Sequence, residues 1–434
     1  MNIRAGIAIF FLIVIGYVGL SGYVPLYADG ANYILQLLAT KEFVHIAENR
    51  IFATFLTQTP VIVALNHYAP TPEEAIAIYS LSLFAVPVLA YGYALWLTRA
   101  DPVAFTLTIA AICIGFLPTV FVIVGEFHVL YALAWLYAAI VLSQARDTAL
   151  NAFLLLATAI VCIKSYEASA VIAPLLAVLT FFMLRSTRKV TEQAYLALLM
   201  VLLAIAAGVG IHGYLKPRDA GNAGGFVTSL FKIVEDSELL VIAAIVLSAA
   251  VASFIRNGIA RAALAAATAW AAFQLLGREA ASGYTDVLGL GSPNTQRAQV
   301  LPFHLLLIAG LFLNRLLGTG RRIAPQTWSF APLLVPLVAL TAVYITDVRR
   351  WNTFIVKACI ELERPAGAAF YDDPSVKTYG WDWEMPTLSV LLRPKGSDRL
   401  LQYPGYAGWY PFDPATDVPD IAGYGRGTGI CRSR

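Results

Sequence analysis

Charge is what this chain has least of. Only 13% of its 434 residues are Asp, Glu, Lys or Arg, and 59% are apolar. Ordinary soluble domains carry roughly 25% charge. So little charge cannot solvate the surface of a water-soluble globule of this length, which excludes a soluble enzyme. The net charge is +3, and no basic stripe with interleaved aromatics occurs. Nucleic acid is therefore excluded as a partner. Cysteine is scarce as well, with four residues and no CxxC or Cys/His spacing of the kind that holds zinc. No GxSxG, Walker loop, HExxH or dinucleotide fingerprint is present, which argues against soluble nucleotide chemistry.

What the chain has instead is apolar runs of membrane-crossing length. A span needs about 20 apolar residues. About eleven stretches meet that need: near Ala5–Val24, Ala75–Leu97, Val103–Val124, Phe127–Ser143, Thr148–Ile163, Ala168–Leu184, Ala194–Gly213, Leu239–Phe254, Ala262–Leu276, Val300–Leu316 and Phe330–Ile345. The expected fold is an all-α polytopic membrane protein. The first run follows Arg4, is too long for a signal-peptide core and has no small-residue cleavage site after it, so it reads as a retained anchor.

A further run, Ile51–Leu65, is short, contains Pro60 and carries Thr and Gln at its centre. It reads as a twelfth span, or as an interfacial or re-entrant helix. Charge favours the second, because cytoplasmic loops are rich in Lys and Arg. Without a crossing there, the inside holds Arg4, Arg99, Arg146, Arg185, Arg188, Lys189, Arg256, Arg261, Arg315, Arg321 and Arg322. The outside then holds Asp29, Glu42, Glu48, Glu73, Glu74, Glu126, Glu167 and most later acids. A crossing at 51–65 would flip every later loop and put the Arg185–Lys189 cluster outside. The expected layout is a cytoplasmic N-terminus and an extracytoplasmic C-terminus. Residues 1–346 form the transmembrane domain. Its long first external loop, about 26–74, carries surface helices near Asn32–Leu38 and Phe43–Ile51. Residues 347–434, dense in Trp, Tyr, Asp, Pro and Gly, form a small extracytoplasmic domain with a strand-like piece at Thr387–Leu392.

The candidate chemistry gathers on the external side. Asp29, in Tyr27-Ala28-Asp29-Gly30-Ala31-Asn32-Tyr33, follows the first span directly. A carboxylate there can take the proton of an attacking hydroxyl or help hold a divalent cation, or it can merely cap a helix. Gly125-Glu126-Phe127-His128 offers two ionisable groups between apolar helices. They can bind a metal with Asp29, move a proton or contact a phosphate; a capping Glu and an interfacial His are the plain alternative. In the tight loop Lys164-Ser165-Tyr166-Glu167, Lys164 can neutralise a phosphate or simply pair with Glu167. Arg297 stands before the tenth span, where its planar fork suits phosphate oxygens or where it snorkels as an anchor. Lys216–Asp219 and Gly277–Glu279 read as connectors, and His45, His67, His212 and His304 as structural histidines. Cys359 and Cys431 bracket most of the polar tail. In an extracytoplasmic compartment they form a disulfide; otherwise they are two unrelated thiols.

The acidic residue after the first span, the long first external loop, the span count and the external tail together resemble the GT-C superfamily of membrane glycosyltransferases. The chain is also similar to bacterial membrane proteins with the same Asp-Gly-Ala-Asn-Tyr and Lys-Ser-Tyr-Glu elements. It has no DxD, no Asp-Glu pair after the first span and no WWDYG-like motif; Trp381-Asp382-Trp383-Glu384 departs from the last. The resemblance implies an inverting transferase in a bacterial inner (plasma) membrane. It would move a sugar from a polyprenyl-phosphate donor to an extracytoplasmic glycan or lipid acceptor. Asp29 would be the base, Glu126, His128, Lys164, Tyr166, Glu167 and Arg297 would contact substrate, and a divalent metal ion would be an optional cofactor. The competing expectation is a transporter or lipid flippase for a cell-envelope precursor, whose charges would sit near the bilayer midplane.

Overall fold

The computed structural model describes residues 3–44, 50–124, 126–143, 148–215, 237–281, 293–318, 327–363, 368–380, 384–392, 400–401 and 431. The described chain is helical throughout, with no strand among the described residues. Six helices are long and apolar enough to cross a membrane: α1 (Ile3–Ser21), α4 (Pro72–Thr98), α5 (Pro102–Val122), α9 (Val190–Leu215), α12 (Pro293–Leu317) and α13 (Ala331–Glu363). Four shorter apolar helices stand with them: α6 (Phe127–Leu142), α7 (Ala149–Ile163), α8 (Ser169–Ser186) and α10 (Ser237–Phe254). The alanine-rich α11 (Gly258–Ala281) packs on α10 and α13. Apolar side chains such as Phe10, Ile13 and Tyr17 on α1 and Trp270 and Phe273 on α11 point outward. Water would not tolerate so much exposed apolar surface, whereas lipid does. The chain is a multi-pass helical membrane protein.

Local chemistry sets the helix starts. Thr71 and Glu74 form a capping box ahead of α4, with Pro72 in the first turn. Asp101 accepts from the amides of Val103 and Ala104 to cap α5, and the Thr148 hydroxyl caps α7. Helix α5 is the central element, with 94% of its most apolar window buried, against 28% for α1 and α9. It passes through a π-turn at Ile112–Phe116 into a 3-10 segment, Leu117–Val122, and delivers the chain to Glu126.

The bundle has two chemically different ends. At one, the Arg4 guanidinium lies 4.6 Å from the Trp328 ring centre, Arg261 donates to the Thr327 carbonyl, and Asn314 donates to Asp101. At the other end Asp29, Glu126 and Glu167 gather. Helices α1 and α4 run antiparallel, since Gly92 faces Ile9 while Gly16 faces Phe84 and Val88. Between them, α2 (Asp29–Thr40) and α3 (Ile51–His67) form a layer at the acidic end. Helix α3 leaves the acidic cluster at Arg50, and near its far end Asn66 donates to the Lys41 carbonyl just after α2.

Three expectations change here. Helix α2 does not lie exposed on a surface: most of it is buried among α3, α4 and α16 (Met385–Leu392). The piece expected as a strand, Thr387–Leu392, is part of the fully buried helix α16. A single helix, α13, runs without a break through 346–347, the expected domain boundary. At 1.5 Å per residue its 33 residues reach about 50 Å, beyond the ~30 Å hydrocarbon core. Its last turns therefore leave the bundle and carry α14 (Ala368–Asp372), α15 (Pro374–Tyr379) and α16. Lys357 on α13 pairs with Asp373 at 2.7 Å, and Asp373 also caps α15 through the Ser375 amide. Burial alone would raise the Asp373 pKa, but the bonds from Lys357 and Ser375 bring it below the ordinary value. Cys359 and Cys431 are joined as a disulfide, Cα–Cα 5.4 Å, closing the tail onto α13.

Candidate functional site

The site begins with a backbone arrangement that places Asp29. Tyr23 and Ala28 both have φ near +55°, a region that L residues occupy only at a cost. Between them Val24–Leu26 makes one 3-10 turn. The Tyr27 ring is then locked among Phe121 (4.9 Å between centroids), Trp351 (5.5 Å) and Tyr379 (6.3 Å). Trp351 also donates to the Tyr23 carbonyl. Gly30 follows because nothing else fits: a Cβ there would lie 1.7 Å from the Pro25 carbonyl oxygen. Asp29 is thus the first residue of α2, where the amide dipoles of the helix favour negative charge.

One turn along the same face stand Asn32 and Tyr33, both buried. The Tyr33 hydroxyl donates to Glu126 Oε1 at 3.1 Å. Burial, then Glu126 and Asp29, push the Tyr33 phenol well above its ordinary pKa, so it remains a proton donor. Glu126 Oε2 accepts from Arg50 Nη1 at 3.3 Å. Glu167 Oε1 accepts from Arg50 Nη2 at 3.0 Å and from Nε at 3.2 Å. The Arg50 guanidinium also lies 5.1 Å from the Tyr166 ring centre. One planar cation therefore ties two carboxylates and an aromatic face from two separate segments, around 126 and 166–167. Burial opposes the Arg50 charge, yet Glu126 and Glu167 outweigh it and raise its pKa.

Glu384 completes the group. It lies one residue before α16, which packs on α2, and is 1% exposed. Burial raises its pKa well above the ordinary carboxyl value; the Ala28 amide opposes the shift and Asp29 adds to it. Although that amide faces the acid, neither carboxyl oxygen has a hydrogen-bond partner in bonding geometry among the described residues. The buried Tyr79 phenol of α4 faces Asp29 and Glu126 from the bundle side.

The structure thus brings together Asp29, Glu126, Tyr166 and Glu167. Lys164 ends α7 beside them: its carbonyl accepts from the Phe52 amide at 2.8 Å, which fixes it next to Arg50, and its side chain is half-buried. Glu167 pairs with Arg50, and of the two readings of Lys164 the pair with Glu167 is not formed. His128 turns into the bundle, its Nε2 3.0 Å from both the hydroxyl and the carbonyl of Thr119. Among the described residues no three His, Cys, Asp or Glu side chains group as metal ligands. His304 is buried and stacked on Tyr131. Arg297 lies in the first turns of α12, but its side chain is outside the described residues, as are those of Arg278 and Glu279. His45 and residues 216–219 and 381–383 are outside them altogether.

Sequence reading missed Arg50, Asn32, Tyr33, Tyr79 and Glu384. Two of these had a signal. Arg50 is, with Lys41, one of two Lys or Arg residues in a loop that holds five acids, and Tyr33 sits one helical turn after Asp29. Glu384 had none, because nothing local reveals that α16 returns to α2.

Compared with known proteins, the chain matches no family model, no curated protein and no solved structure. Its fold and site define a multi-pass helical membrane protein with a buried carboxylate–arginine–tyrosine cluster at one end of the bundle.

Proposed function

We propose that the protein is an inverting membrane glycosyltransferase. It would move a sugar from a polyprenyl-phosphate donor to an acceptor hydroxyl on the extracytoplasmic side. The observation that carries this reading is Asp29, held at a helix start by constrained backbone. Tyr33, Tyr79 and Glu384 arrive beside it from separate segments, and Tyr33 links it to the Glu126–Arg50–Glu167 cluster at the same end of the bundle. A transporter would place such groups near the midplane. The eleven-span layout, with an external tail, rests on the antiparallel course of α1 and α4. That course leaves α3 uncrossed between them. The orientation rests on the arginine-rich opposite end, which the positive-inside tendency puts in the cytoplasm.

In this reading the acceptor oxygen attacks the anomeric carbon from the face opposite the phosphate. The carbon–oxygen bond to phosphate breaks, the polyprenyl phosphate departs with the electron pair, and the hydroxyl proton passes to Asp29. The leaving group already carries charge, so electrostatic clamping replaces an acid. Arg50 is committed to Glu126 and Glu167, which leaves the adjacent Lys164 as the point charge for the donor phosphate.

The test is sugar transfer by the full chain in lipid nanodiscs from a set of polyprenyl-phosphate sugars. Asp29→Asn is expected to lower turnover by about a thousandfold or more, in line with loss of general-base catalysis together with acceptor positioning, and to keep donor binding. Near-normal turnover in that variant refutes the assignment. Lys164→Ala is expected to raise the donor KM with a smaller change in kcat.

A further inference from the structure

Two buried polar groups beside Asp29 have hydrogen-bonding capacity that no described residue uses. Glu384 and Asn32 are each 1% exposed. Both Glu384 oxygens lack a partner among the described residues, and so does Asn32 Nδ2, while Asn32 Oδ1 accepts from Gln36 at 2.9 Å. Leaving such groups unsatisfied is costly, and native proteins rarely do so outside functional sites. Asn32 is on the same face of α2 as Asp29, and α16 brings Glu384 against that helix.

We propose that Asp29, Asn32 and Glu384 form a subsite for a neutral, polyhydroxylated acceptor, with Glu384 and Asn32 setting its orientation. This deepens the glycosyltransferase reading and rests on it for the role of Asp29. The chemistry selects the ligand class. Glu384 is wholly buried and faces the half-buried Asp29, which favours the protonated form of Glu384. The subsite then presents one acceptor-only carboxylate, one acid able to donate and accept, and one amide donor. A vicinal diol matches that set, since each hydroxyl donates once and accepts twice. A phosphate does not match it, because its charge would face Asp29. Anion binding therefore belongs to the Arg50 and Lys164 side, and polyol binding to the Glu384 side.

The experiment is saturation-transfer NMR on the full chain in nanodiscs, with methyl glycosides of common hexoses and, separately, inorganic phosphate. It is run on the wild type, E384M, E384Q and N32A. Glycoside signals are expected from the wild type. E384M should lose them, and N32A should weaken binding about tenfold, the size of one hydrogen bond to a substrate hydroxyl. The thermal midpoint of E384M should be unchanged or higher, because an apolar side chain of similar shape relieves an unsatisfied buried acid. A structural acid gives the opposite: a lower midpoint in E384M, partly rescued by E384Q. That result overturns the proposal. So do undiminished glycoside signals in E384M, phosphate signals that depend on Glu384, or no glycoside signal from the wild type. Glutamate-dependent glycoside binding in a protein that transfers no sugar would keep the subsite and remove the glycosyltransferase reading. Transfer without such binding would do the reverse.

Discussion

At the scale of residues, Arg50 and Glu384 solve opposite problems with buried charge. Arg50 is fully engaged, its side chain 24% exposed and its fork shared by Glu126 and Glu167. Removing it leaves two acids facing each other. In a fully buried pair that costs 3–5 kcal/mol; with partial exposure we expect about 1–3 kcal/mol for Arg50→Met, read as a fall in thermal midpoint. Arg50→Lys should recover only part of this, because an ammonium cannot bridge both acids in one plane. Glu384 has no hydrogen-bond partner among the described residues. Its pKa is higher folded than unfolded, so between the two values the native state binds more protons, and stability falls as pH rises through that window. The wild type should lose thermal stability as pH rises above the ordinary carboxylate range. Glu384→Gln should flatten that slope, and an unchanged slope would show that another group titrates.

At the scale of elements, the turn before α2 and the closing tail position the site. Gly30→Ala would drive a methyl group into the Pro25 carbonyl and Val124. Overpacking of this kind costs about 1–3 kcal/mol and would displace Asp29, so activity should fall more than stability. The disulfide holds the tail that carries Glu384, closing a loop of 72 residues. Chain entropy assigns about 4 kcal/mol to a loop of that size. Cys359→Ser with Cys431→Ser should lower the thermal midpoint and expose 384–392 to hydrogen exchange.

The helices of the bundle were legible in the sequence because lipid demands long apolar runs, and that demand leaves a local signature. Asp29, Glu126 and the Tyr166-Glu167 pair were legible because charge is rare here. What was not legible is whatever depends on return of the chain. Thr387–Leu392 has β-branched and apolar residues that read as a strand, yet tertiary packing against α2 makes it helical. Asn32–Leu38 looked like an interfacial helix, and the same apolar face is instead covered by protein. Glu384 is distant from Asp29 by more than 350 residues, and no periodicity links them.

At the scale of the molecule, the two ends of the bundle divide its chemistry. One end holds Arg4, Arg261 and Asp101 in contacts that tie helix termini together. The other gathers acids, phenols and one bridging arginine around a constrained aspartate, with a long helix and a disulfide-closed tail over it. Among the described residues, the second end holds the partnerless buried groups nearest Asp29, in Asn32 and Glu384. If a lipid-linked phosphate docks at that end, a structure of the full chain with a non-hydrolysable polyprenyl-phosphate sugar will show it. The phosphate is expected against Lys164 and the anomeric carbon facing Asp29, with the prenyl chain running into the bilayer. A phosphate bound at the Arg4 and Arg261 end, or inside the bundle on a path between the two ends, would contradict it.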